Sequence, residues 1–129
     1  MKVAKRKAPA AIFQQTDIFG NLVELSPETW TYHIITGHPE MAGYESIVQQ
    51  AIKDPFQVCE STQYDSGAVF FSAPGVGPSV EGIRAIVLYQ DWSYLKGAST
   101  GIVATAYPID IVKYGHPKIG KSIYRKGKR

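Results

Sequence analysis

The stretch Ser26–Pro55, SPETWTYHIITGHPEMAGYESIVQQAIKDP, carries both clear helix signals of the chain, two of its three histidines and one of its two tryptophans. Ser26 stands where a helix N-cap accepts a backbone N–H. Pro27 suits the first helical position, and Glu28 puts negative charge at the positive end of the helix dipole. Trp30, Ile34 and Gly37, with His33 beside them, follow the three-to-four spacing of one helical face. Gly37 followed by Pro39 is a stop signal, so a first helix is predicted over 27–36. The chain then turns through GHPEMAG. Tyr44, Ile47, Val48, Ala51 and Ile52 repeat at helical spacing up to Asp54–Pro55, which predicts a second helix over 43–53. Trp30, Ile34, Ile47 and Val48 are the expected packing residues of this layer.

Outward from these helices the pattern becomes extended. On the N-terminal side, AIFQQTDIFGNLVELS reads as a β-hairpin of segments 11–16 and 22–25, with its turn at Gly20 and Asn21. On the C-terminal side, strands are predicted near 56–61, 67–72, 84–92 and 100–108, with connections short enough for an antiparallel meander. The expected fold is therefore α+β: an N-terminal β-hairpin and two helices packed on a four-stranded antiparallel sheet, with flexible basic termini. The expected boundaries are a basic N-terminal arm at 1–10, a single domain at 11–112 and a basic C-terminal tail at 113–129.

With 129 residues, 44% of them apolar, the chain can bury one core. It has no apolar run of membrane-spanning length, and MKVAKRKAPAAIF begins basic without the apolar stretch of a signal peptide. A soluble cytoplasmic protein with no membrane partner is expected. The single cysteine, Cys59, has no partner for an internal disulfide and reads as a small core residue. The net charge of +3 hides a division: eleven of the fourteen basic residues lie in 1–7 and 113–129, while 8–112 holds Lys53, Arg84 and Lys96 against all eleven acidic residues. Basic ends on an acidic body either fold back or reach for a polyanion. Solvated ends with no ligand are an equally good reading.

The residues able to carry chemistry are few. His33 and His38 lie five apart, about 140° around an α-helix, and lack the HExxH spacing of a zinc pair; no metal and no cofactor is expected. The loop APGVGPSVEGI has Gly75 and Gly77 but Val80 where a dinucleotide fingerprint needs its third glycine, and no helix follows. A histidine is the side chain best suited to move a proton near neutral pH. His33 reads equally as a core-edge residue, His38 as a helix-terminal residue favoured by the dipole, and Glu40 as a solvated turn carboxylate. Arg84, a rare cation in the acidic body, is either a structural partner for a carboxylate or an anion contact. Period-two alternation puts Val103, Thr105 and Tyr107 on one face of the last strand, able to offer hydroxyls, and Ile102, Ala104 and Ala106 on the other.

WTYHIITGHPE, a following helix ending in IKDP and a last strand reading IVATAYP, in this order, resemble the phage-associated barnase–EndoU–colicin–RelE-like nucleases of the BECR-type fold. The resemblance covers about residues 24–108. It implies a small domain with N-terminal helices on an antiparallel sheet. It also implies a hydrolase acting on RNA, a toxin or phage effector, in which the ribose 2′-hydroxyl attacks the adjacent phosphorus without a metal. The implied catalytic residues are His33 or His38 for proton transfer, Arg84 for phosphate charge, and Thr105 with Tyr107 as donors. RNA is the implied partner, a cognate antitoxin or inhibitor protein a further one. Lys113, Lys118, Lys121, Arg125 and Lys126 would supply RNA-binding charge. A noncatalytic nucleic-acid-binding domain and a protein-interaction module are the alternatives.

Overall fold

A computed structural model describes residues 11–110 and 119–127. The expected arm at 1–10 lies outside the described residues. The chain begins with strands β1 (Phe13–Thr16) and β2 (Leu22–Leu25), followed by a π-helix (Thr29–Ile35), a 3₁₀ turn (Pro39–Met41) and helix α1 (Glu45–Lys53). Strands β3 (Gln57–Ser61), β4 (Gly67–Phe71) and β5 (Ile83–Tyr89) come next. A second 3₁₀ turn (Trp92–Lys96) precedes β6 (Thr100–Pro108) and β7 (Ile119–Arg125). The molecule is α+β, but the expected four-stranded antiparallel sheet is not what forms. Among the described residues one seven-stranded mixed sheet forms, in the order β1-β2-β6-β5-β4-β3-β7. β2 pairs β6 in parallel, and every other pairing among the described strands is antiparallel.

The mixed sheet has a physical origin in the first turn. Asp17 accepts the backbone N–H groups of Phe19 and Asn21 and the Asn21 side-chain amide, each at 2.9 Å, and also the Tyr89 hydroxyl. Asn21 in turn donates to the Tyr94 carbonyl at 2.8 Å and accepts from Ser99 N–H at 3.0 Å. These bonds, most of them buried, fasten the hairpin turn to the segment leading into β6, so β2 lies beside β6 with Leu22 opposite Thr100. The hairpin is thus part of the sheet and not a separate layer. The second departure is at the C-terminus: residues 119–125, expected in a flexible tail, form β7 against β3. Their partner strand lies sixty residues earlier, a relation that local pattern does not encode.

α1 presents Val48, Ala51 and Ile52 to the sheet at helical spacing and carries Glu45 in its first turn and Lys53 in its last, both favourable to its dipole. With Trp30, Ile34 and Met41, Val48 and Ile52 pack on Val58, Phe70, Ala85, Val87, Val103 and Ala106, the first face of the sheet. The predicted first helix forms around a π-wound segment. Thr29 N–H is capped by Ser26 Oγ at 3.0 Å, and the helix packs against β6, beside which β2 extends only to Ile102. The 140° separation estimated for His33 and His38 belongs to α-winding and does not apply here.

The predicted facing of β6 also needs correction. Ile86 pairs Thr105 whereas Val87 pairs Val103, so Ala104 is an extra, bulged residue. Val103 and Ala106 consequently share the core face, and Ile102, Thr105 and Tyr107 share the second. Among the described residues no helix is long and apolar enough to cross a membrane.

Candidate active site

The strand register aligns one residue from each of four neighbours on the second face: Gln57 of β3, Phe71 of β4, Arg84 of β5 and Tyr107 of β6. At the β6 end of this row His38 stacks on Tyr107, with ring centroids 4.9 Å apart and planes 20° from parallel. His38 reaches there because its N–H closes the helix on the Ile34 carbonyl at 2.7 Å, and Pro39 then starts the 3₁₀ turn. The Arg84 carbon Cζ lies 4.9 Å from the same Tyr107 ring centroid. Imidazole, phenol and guanidinium are therefore contiguous.

Arg84 is only 1% exposed, and its Nε and Nη2 have no hydrogen-bond partner among the described residues. Burial lowers the guanidinium pKa, against the opposing influence of Tyr107 and of the Glu81 carboxylate. A guanidinium nevertheless stays charged in a protein. A buried cation with unsatisfied N–H donors on two nitrogens favours a nearby anion, and an anion close to it interacts more strongly than in water. Thr105 lies on the same face two residues before Tyr107, about 7 Å along the strand. It is half-buried opposite Ile86.

The expected site residues thus divide. His38, Arg84 and Tyr107 are brought together, with Thr105 on the adjoining rung. His33 is exposed on the π-helix, whose buried side is Trp30 and Ile34. His38 is not a simple helix-terminal residue: it is half-buried, and its Nδ1 is shielded from solvent. Glu40, read as a solvated carboxylate, is half-buried too, with Oε1 shielded; its place directly after Pro39 in the H-P-E motif was the available signal. Phe71 and Gln57 entered through register alone, for which the sequence carries no local sign. Of the expected RNA-binding cations, Lys121 and Arg125 are exposed on β7, and Lys126 pairs Asp54 at 2.7 Å. Lys113 and Lys118 lie outside the described residues, as does His116.

Comparisons with protein-family models, with curated proteins and with solved structures find no match.

Proposed function

We propose that the chain is a metal-independent endoribonuclease of the barnase–EndoU–colicin–RelE-like kind. The ribose 2′-oxygen attacks the adjacent phosphorus and passes its proton to a base. The bond from phosphorus to the 5′-oxygen breaks, and that oxygen takes up a proton. The products are a 2′,3′-cyclic phosphate and a 5′-hydroxyl. The observation that carries this reading is the contact of His38 and Arg84 with one ring, Tyr107, on one side of the sheet. In it His38 transfers a proton, the buried Arg84 guanidinium beside the Tyr107 ring supplies positive charge for the phosphate, and the Tyr107 and Thr105 hydroxyls donate to the crowded phosphorane. An RNA substrate and a lone buried cysteine fit a cytoplasmic protein.

The test is cleavage of single-stranded RNA in EDTA, with identification of the product ends. His38→Ala should lose about 10²–10⁴ in rate, as removal of a general acid or base does, whereas His33→Ala should keep most of the activity. Loss of wild-type cleavage in EDTA would overturn the metal-free scheme. The reverse ranking of the two histidine variants would overturn the assignment to His38. RNA binding without cleavage in any buffer would leave a noncatalytic nucleic-acid-binding domain.

A further inference from the structure

The row that carries Arg84 does not stop at β3. Arg125 of β7 pairs Gln57, so the row runs Arg125, Gln57, Phe71, Arg84, Tyr107 across five adjacent strands. Arg125 and Arg84 are separated by three inter-strand steps, about 14 Å, more than one nucleotide step. The Arg125 side chain is exposed, yet it is not loose: its Cζ lies 5.6 Å from the Phe56 ring centroid. A guanidinium held near an aromatic ring offers a charge for a phosphate beside a ring face for a base, the pairing that single-strand binding sites use. Lys121 has the same charge on the same strand but stands beyond the irregularity at Ile123, about three ladder steps or roughly 10 Å from the row.

The geometry points to a second nucleotide subsite at Arg125 and Phe56, so that the substrate is an extended single strand lying across the strands and not a dinucleotide. This rests on RNA being the ligand of the Arg84 site. It separates Arg125 from the other cations of the C-terminal segment, which composition alone treats alike.

The experiment measures anisotropy of a labelled, 2′-O-methylated single-stranded RNA of about 12 nucleotides, which cannot be cleaved, alongside cleavage of a dinucleotide. Arg125→Ala should weaken binding of the long strand about fivefold or more. Phe56→Leu should weaken it in the same direction although the net charge is unchanged. Lys121→Ala should change it less than about twofold. Cleavage of the dinucleotide should be the same in all three variants. Equal weakening by Arg125→Ala and Lys121→Ala would mean general attraction of a polyanion and would overturn the subsite. So would unchanged binding in Phe56→Leu, absence of wild-type binding, or displacement of the strand by poly-glutamate as readily as by unlabelled RNA, the mark of an acidic protein partner. The expected binding pattern in a chain that cleaves nothing would uphold the subsite while removing the nuclease proposal.

Discussion

Tyr94 is fully buried, and its hydroxyl has no partner among the described residues, while its ring stacks on Tyr89 at 4.2 Å. A buried hydroxyl without a bond costs its desolvation and gives nothing back, so Tyr94→Phe should keep the stacking and raise stability by about 1 kcal/mol in urea unfolding at pH 7. The two rings also set a limit at alkaline pH. Burial, then the Asp17 charge and hydrogen bond, holds the Tyr89 phenol far above its ordinary value. Burial, with the Glu60 charge behind it, pushes Tyr94 up to about 12. In the unfolded chain both titrate near pH 10. Below that neither contributes a pH dependence; above it the unfolded chain releases protons that the native one retains. Stability should then fall by about 1.4 kcal/mol per pH unit for each ring, Tyr94 ceasing to contribute near pH 12. Unfolding at pH 9 and 11 checks this, and an equally steep fall in Tyr94→Phe would refute Tyr94's share. None of this was legible beforehand: a tyrosine's burial depends on which elements close over it, whereas the apolar roles of Trp30, Ile34 and Val48 followed from helical spacing.

At the level of elements, β6 carries the main lesson. Its nine residues look like one regular strand, and alternation puts Val103 with Thr105 and Tyr107. The bulge at Ala104 resets that alternation and turns Thr105 and Tyr107 toward Arg84 while Val103 and Ala106 stay in the core. Because Ala104 is the residue in excess, deleting it should leave every other β6 side chain on its present face, and the chain should fold. Deleting Ala106 instead would put Tyr107 on the core face and should abolish cooperative unfolding. Circular dichroism during thermal unfolding distinguishes the two, and loss of fold in both variants would refute the bulge assignment. The strand positions and α1 could be read from periodicity and stop signals, which are local. The bulge could not, since it is a relation between β5 and β6.

For the molecule as a whole, β7 turns an expected tail into a part of the sheet. It covers β3, where Cys59 is only 2% exposed, opposite Ser122, and burial raises its thiol pKa against the Ser122 hydrogen bond. The intact protein should therefore react with a thiol reagent only on opening, while a chain ending at residue 118 should react quickly and unfold at lower urea concentration. Slow labelling in both would show that β7 does not protect Cys59. Such a truncation tests stability before it tests RNA binding, so point changes on β7 are the cleaner probe of phosphate contacts.

The amino-acid sequence by itself determined the α+β character, the position of α1, the places of six strands and the division between an acidic body and basic ends, because capping, periodicity and charge act over a few residues. Only the tertiary structure decided that β2 lies parallel to β6, that β7 completes the sheet, and that His38, Tyr107 and Arg84 meet. Those are choices of partner among strands far apart in the chain. The buried bonds of Asp17 and Asn21, the extra residue at Ala104 and the edge left on β3 make them, and each of these acts only when the elements are already side by side.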